Sequence, residues 1–372
     1  MITECIEDIN RLEAIPPESA ERYAAAMERM IDQVNRELGG RSDITGLIGG
    51  NPVQIMETNH LHHAQFMLTV FRLKAYDLLA RTVPWVYRAY HSRGFSYDYF
   101  PVELRAWKQA LLDNGAGQDA SQILVVYDWM ISRHETMIEL SVSGDTLGFS
   151  LPDETDGMQQ IFTALLLHGD HTGCLKLVEQ SIASPDELRH FYEHVVKQAL
   201  YTVGTLWERN EISVAEEHLA TAIVARVTSH LYGRFVGTPQ TRGRAVVSAA
   251  PNEYHEVGAR MVADMLELDG WDVTYLGANI PVEELLKLLR QKQPFLLALS
   301  VATAFNLENA RDTIAAVRGV PEFSTMRILA GGLAFSSVPR LGREFGADGY
   351  AATLADAILL CDGWWLEGLA KP

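Results

Sequence analysis

Cysteine is nearly missing from this chain: Cys5, Cys174 and Cys361 are the only three in 372 residues. Thiols so few and so scattered build neither a disulfide framework nor a cysteine-based zinc site, and they suit a reducing cytoplasm. Long apolar runs are also lacking. No uninterrupted stretch approaches the roughly 18 residues of a membrane-spanning helix. Glu4, Glu7 and Asp8 stand where a signal peptide would carry Lys or Arg. The expectation is a soluble, unexported protein with no membrane partner. Basic residues are scarce, 31 Lys+Arg against 48 Asp+Glu for a net charge of −17. Such a surface repels phosphate backbones and anionic bilayers, so nucleic acid is not an expected partner. No fixed-period repeat or low-complexity segment occurs, which excludes solenoids. What remains is ordinary globular composition, 48% hydrophobic and 21% charged, long enough for two or three domains of roughly 100–200 residues.

Residues 1–155 read as an all-helical domain. Ala, Leu, Met, Glu and Arg fill 17–38, 54–79, 84–93, 101–112 and 121–140, with apolar residues at three- and four-residue spacing. Gly39-Gly40, Gly49-Gly50, Gly94 and Gly115-x-Gly117 punctuate these runs, and the polar 144–156 stretch predicts a linker with a boundary near 155. Residues 156–236 predict a four-helix bundle over 158–167, 172–183, 186–209 and 214–233. Ser184-Pro185 starts the third helix, and Ser213 with Glu216 forms a capping box before the fourth. After a linker at 236–243, residues 244–372 alternate strand and helix: strands at 245–250, 272–276, 295–303, 327–333 and 349–350, helices at 257–268, 282–291, 308–317 and 340–345. That order predicts right-handed βαβ units and a Rossmann-like parallel sheet, with ligands at the strands' carboxyl ends. The expected fold is multidomain, α and α/β.

The first predicted strand runs into Pro251-Asn252-Glu253-Tyr254-His255-Glu256-Val257-Gly258. A dinucleotide-binding domain would show its G-x-G-x-x-G turn here, and it is absent. A histidine two residues after a carboxylate can offer one ring nitrogen to a metal while the carboxylate holds the other; a plain surface-loop histidine is the competing reading. Glu253-x-His255-x-x-Gly258, Ser300-x-Ala302-Thr303 at the end of the third strand, and Gly331-Gly332 after the fourth together resemble the cobalamin-binding Rossmann domain. The resemblance implies that His255 is the lower cobalt ligand. It also implies that the nucleotide tail of the cofactor lies in a channel lined by Ser300, Thr303, Gly331 and Gly332. Glu253 replaces the commoner Asp of that motif, as in light-sensing members of the CarH type.

The predicted bundle carries Val203-Gly204-x-x-Trp207, then nine residues, then Glu217-His218. This resembles the Trp-x9-Glu-His signature of the CarH-type adenosylcobalamin photoreceptors. There the bundle caps the upper corrin face, which implies Trp207 beside the adenosyl group with Glu217 and His218 supporting it. An aromatic wall shields a weak Co–C bond, and a carboxylate accepts from ribose hydroxyls. One departure follows: those photoreceptors carry a histidine directly after the Trp, whereas here the residue is Glu208. Water, Glu208 or a histidine from elsewhere, His218 among them, is left to fill the upper cobalt position after photolysis.

CarH-type regulators begin with a DNA-binding domain, but residues 1–150 hold 13 Lys+Arg against 20 Asp+Glu and no short basic recognition helix. They are instead rich in aromatics. Trp85, Tyr87, Tyr90, Phe95, Tyr97, Tyr99, Phe100 and Trp107 fall within 23 positions, beside Arg88, His91 and Arg93. An apolar slot bordered by cations suits a flat pigment with carboxylates; the competing reading is that these rings form the domain's own core. A helical domain ahead of a cobalamin module, with the 81–85 and 95–100 stretches, resembles the photocobilins. That resemblance implies a globin-like N-terminal domain and biliverdin as second chromophore, with Trp85, Arg88, His91, Tyr97 and Tyr99 as contacts. His60, His62 and His63 offer a haem alternative, and Cys5 a thioether attachment point.

The sequence therefore points to a cytoplasmic light-sensing signalling protein that is not an enzyme. It would use adenosylcobalamin, with biliverdin beside it, and answer light by changing domain packing or oligomeric state. A homo-oligomer and a separate effector protein are the expected partners. The alternative is a corrinoid methyl-carrier protein of a methyltransferase system, which shares the bundle and the Rossmann domain.

Overall fold

The computed structural model describes residues 1–114, 121–143, 157–235, 237 and 239–369. The predicted 144–156 linker with its boundary near 155, and Gly115-x-Gly117, lie outside the described residues, as do positions 236 and 238 of the second linker. The chain divides into two compact units, residues 1–150 together with 208–210, and residues 151–207 together with 211–372. Among the described residues no helix is long and apolar enough to cross a membrane.

The first unit is helical: Ile2–Ile9, Pro17–Gly39, Ile44–Leu47, Val53–Leu73, Tyr76–Ser92, Tyr99–Asp113, Ser121–Ser132 and His134–Ser143. Three runs differ from the sequence reading. The helix expected over 54–79 ends at Leu73, because Lys74 turns left-handed at φ 51°. The next begins at Tyr76 and runs through Pro84, which therefore sits inside a helix instead of starting one. The 121–140 run breaks at Arg133. The core packs Tyr23, Phe71, Tyr87, Tyr99, Trp107 and Tyr127, each at most 2% exposed.

The second unit joins the bundle to the α/β segment. Its bundle helices are Gly157–Leu167, His171–Ser181, Pro185–His190 continuing within this unit to Trp207, and Val214–Phe235. Both predicted caps are made: Glu187 N–H donates to Ser184 Oγ at 3.2 Å, and Glu216 N–H to Ser213 Oγ at 3.2 Å. The third helix is wound as a π-helix over Phe191–Val196. A single apolar cluster runs from Phe162, Phe191, Tyr192 and Val224 to Val257, Met261, Met265 and Leu354. Bundle and α/β segment thus share one core.

The strands are β1 Arg244–Ala249, β2 Asp272–Tyr275, β3 Leu296–Ser300, β4 Arg327–Gly331 and β5 Gly349–Ala351, all parallel in the order β2-β1-β3-β4-β5. The central strands β1, β3 and β4 are buried on both faces, which explains their Val-, Leu-, Ile- and Ala-rich content, whereas the edge strand β2 is partly buried throughout. After β1 the chain goes first to one side, to β2, then to the other, to β3. The crevice between the carboxyl ends of β1 and β3 is therefore where such a sheet takes a ligand.

Candidate functional site

The His255 loop leaves β1 at that crevice. Asn252 turns left-handed at φ 62°, and its N–H donates to Asn279 Oδ1 at 2.9 Å. The turn buries Glu253 completely and leaves the His255 side chain two-thirds exposed. Glu253 Oε1 accepts from the His255 backbone N–H at 3.0 Å and from ring Nδ1 at 2.6 Å. Its other oxygen, Oε2, accepts from Ala302 N–H and Thr303 N–H at 2.9 Å each, Thr303 Oγ1 at 3.0 Å and Asn306 Nδ2 at 3.2 Å. Burial alone would push this carboxyl up; the His255 ring and the Thr303 and His255 amides outweigh it and hold it near 2. Glu253 is thus an anion at every ordinary pH. With Nδ1 donating to it, His255 keeps its Nε2 lone pair for a metal. The carboxylate in turn raises the imidazole pKa, with a smaller contribution from Glu217.

Sequence reasoning missed Asn306. It stands at the N-cap position of the Leu307–Arg318 helix without a side-chain capping bond, and its amide instead joins Glu253 to Thr303 Oγ1 at 2.7 Å and to the Asn252 carbonyl at 3.1 Å. An asparagine between a strand and a helix reads as an ordinary cap, so nothing local betrayed its contact 53 positions back. Thr303, expected along the tail channel, gives its backbone N–H and hydroxyl to Glu253. Ser300 ends β3 half-buried.

The paired glycines have separate reasons. Gly332 adopts φ 98°, and a Cβ there would stand 2.3 Å from the Val301 carbonyl oxygen. Backbone packing alone demands it. A Cβ at Gly331 would find its nearest neighbour, the Ala351 oxygen, at 3.5 Å. At Gly258, three residues after His255, and at Gly204, one turn before Trp207, an added Cβ would meet no atom within 4 Å. Each leaves open room beside the residues expected to touch cobalamin.

In the bundle, Trp207 is half-buried. Glu217 takes the Thr221 hydroxyl at 3.1 Å on one oxygen and the His218 ring on the other, and the His218 side chain is 76% exposed. Glu208 is withdrawn from such a role. It belongs to the helical unit, only 8% exposed, its Oε1 2.6 Å from Arg88 Nε and its carbonyl accepting from Ser92 Oγ at 2.6 Å. This corrects Glu208 as a candidate upper cobalt ligand: its carboxylate is committed to Arg88.

The expected bilin contacts divide. Arg88 is engaged with Glu208. His91 is exposed and stacks on Tyr97 with centroids 4.0 Å apart, while Tyr97 Oη lies 3.3 Å from Ser141 Oγ. Trp85 is half-buried. Tyr99 is different: it is fully enclosed and its hydroxyl reaches His60 Nε2 at 2.8 Å, so it is a core residue and not the wall of an open slot. Cys5 is 3% exposed, its thiol pKa raised by burial, which makes it a poor nucleophile for thioether attachment. His60 is enclosed as well, unlike a histidine presented to haem.

Residues 243–359 match the B12 binding domain, and residues 158–232 match a second B12 binding domain family. The chain carries a cobalamin-binding module. Over 143 residues it is 31% identical to the HTH-type transcriptional repressor CarH of Myxococcus xanthus, covering 38% of this chain and 46% of that protein. Over 80 residues it is 30% identical to the methanol–corrinoid protein of Methanosarcina barkeri, covering 21% of this chain and 31% of the relative. The chain thus spans less than half the length of these two curated relatives. The structure of the Methanosarcina barkeri monomethylamine corrinoid protein aligns over 55% of this chain and 97% of its own, at 18% identity and TM-score 0.49.

Proposed function

We propose that this cobalamin-binding module makes the protein a light-responsive adenosylcobalamin sensor, with His255 as lower ligand and the Trp207, Glu217 and His218 bundle face above. The observation that carries the reading is the Glu253–His255 pair, whose geometry leaves Nε2 exposed and basic while Glu217 stands close enough to act on its charge. Adenosylcobalamin, when bound, supplies a Co–C bond that visible light breaks. Around it, Glu253 fixes the tautomer of His255, Trp207 shields the upper side from water, and Glu217 accepts hydroxyls while holding His218. The similarity to CarH supports the sensor reading. The corrinoid-protein relatives support a second one, methyl carriage between partner enzymes, for which the Glu217–His218 pair has no evident use.

The helical unit, read as globin-like, would hold biliverdin near the half-buried Trp85 and the His91–Tyr97 stack, extending absorption to the red. In this reading the protein is cytoplasmic, not itself catalytic, and signals by changing its assembly toward a separate effector; its acidic surface argues against DNA. The test is reconstitution with adenosylcobalamin and with biliverdin, recording visible spectra and size-exclusion profiles before and after green light. Conversion of the cobalamin bands with a shift in elution supports the sensor. Stable methylcobalamin binding with no light-dependent change in assembly overturns it in favour of the methyl carrier. His255→Ala should give a base-off spectrum in a folded protein.

A further inference from the structure

The helical unit encloses a phenol whose proton already points at a base. Tyr99 and His60 are each 0% exposed. Asn35 Oδ1 lies 2.5 Å from His60 Nδ1 and, having only lone pairs, requires that nitrogen to carry the hydrogen. Nε2 is then the acceptor, and the Tyr99 hydroxyl donates to it at 2.8 Å. Packing alone would be met by Phe and an aliphatic residue, without enclosing two polar side chains.

Rings connect this triad to the surface. Tyr99 lies 6.4 Å from Tyr90 between centroids, Tyr90 5.5 Å from Phe100, Phe100 3.7 Å from Tyr87, and Tyr87 6.3 Å from Tyr97. Tyr97 stacks on the exposed His91. On the inner side Trp107 packs edge-on to His60 at 6.2 Å.

We propose that Tyr99 is a redox-active tyrosine, oxidised through Tyr90, Tyr87 and Tyr97 by a one-electron oxidant of the excited-dye or oxidising-radical class, with His60 as proton acceptor. One electron leaves Tyr99 for the oxidant, which is reduced by one electron. The phenolic O–H bond breaks and an N–H bond forms on His60 Nε2, giving a neutral phenoxyl radical beside an imidazolium whose Nδ1–H still donates to Asn35. Reduction by a thiol-class reductant returns the electron, and His60 returns the proton. The short Oη–Nε2 separation makes this exchange local, so no proton has to reach solvent. Burial holds His60 down near 4, which keeps it neutral and ready to accept at ordinary pH. An oxidised phenol is a far stronger acid than that imidazolium, so the transfer runs downhill. The inference does not rest on biliverdin, since any outer-sphere oxidant at the Tyr97 end serves.

The full-length chain without added cofactors is photo-oxidised with a ruthenium polypyridyl dye and a sacrificial cobalt ammine acceptor, frozen, and examined by electron paramagnetic resonance. The expected result is a tyrosyl radical coupled to one exchangeable deuteron and, in protein labelled with 15N-histidine, to a histidine nitrogen. Tyr99→Phe, which keeps the ring, should lose that signal. Tyr90→Phe should lower its yield. A wild-type radical with no histidine-nitrogen coupling, or the same spectrum and lifetime in folded Tyr99→Phe, overturns the proposal. Because Tyr127 and Tyr87 also meet histidine nitrogens, His63 Nε2 and His134 Nδ1 at 3.0 Å each, the histidine-coupled signal must also persist in Tyr127→Phe and in His134→Gln; its loss in either overturns the assignment to Tyr99 even where Tyr99→Phe does not fold.

Discussion

In the proposed reading, in which His255 is the lower cobalt ligand, replacing Glu253 by Gln should remove cobalt ligation without altering His255 itself. The four donors on Oε2, from Ala302, Thr303 and Asn306, oblige the new amide to place its oxygen there. Its NH2 group then faces the His255 N–H and Nδ1, where the carboxylate accepted from both. His255 can satisfy an amide donor only by taking the other tautomer, with Nδ1 as acceptor and the hydrogen on Nε2. The outward nitrogen then has no lone pair. The carboxyl sits near 2 against an ordinary 4.5, a difference of about 3 kcal/mol in favour of the charged form at 1.36 kcal/mol per unit, or roughly three-hundredfold. Because this pKa is depressed, the associated stability is present above 4.5 and lost as pH falls from there through about 2. Glu253→Gln should therefore melt earlier than the parent at pH 7, with the gap shrinking below 4.5. Its bound adenosylcobalamin should show the base-off spectrum under conditions where the parent is base-on. A variant that binds with the parent's base-on spectrum would refute the tautomer argument, because His255 itself is intact.

Gly332→Ala should misfold or lose at least about 1–3 kcal/mol from the left-handed backbone alone, with the contact to Val301 adding to it. Gly331→Ala should melt like the parent and, in the cobalamin reading, bind the cofactor less tightly; equal melting of the two variants in a denaturant series would contradict this. Asp264, buried and accepting from Tyr192 at 2.8 Å, is pushed up by burial to about 6. Its raised pKa means stability is lost as pH rises from 3.8 through 6, so Asp264→Asn should gain up to about 3 kcal/mol at pH 7.5 and flatten that slope. Glu103, enclosed beside Trp107, is pushed by burial to about 8. Glu103→Gln should raise the melting temperature by an amount that grows from pH 5 to pH 8.5 and levels above it; a difference independent of pH would mean that the carboxyl is already ionised in the fold. Trp207→Ala should alter the photolysis rate or the light-state elution volume, and unchanged behaviour in both would remove Trp207 from the cap.

Much of this protein was legible in its residue order. The bundle helices were set by apolar spacing and by the Ser184 and Ser213 caps, and the sheet by short Val- and Leu-rich runs between amphipathic helices, because these signals are local and the physics behind them acts over a turn or a strand. The Glu253-x-His255 loop was legible for the same reason: donor and acceptor lie two positions apart. What the order of residues left undecided involves partners far along the chain. Whether Tyr99 lines a slot or closes a core depended on His60, 39 positions earlier. Glu208 was a free carboxylate on paper and is an ion-pair partner of Arg88, 120 positions away, in the fold. Asn306 became the prop of the Glu253–His255 pair only when β1 and β3 came side by side. Periodicity reports which face of an element is buried; it says nothing of which buried polar group meets which. That pairing is settled by packing, since each enclosed donor or acceptor must find a partner among the atoms that the tertiary fold brings within 3 Å or so.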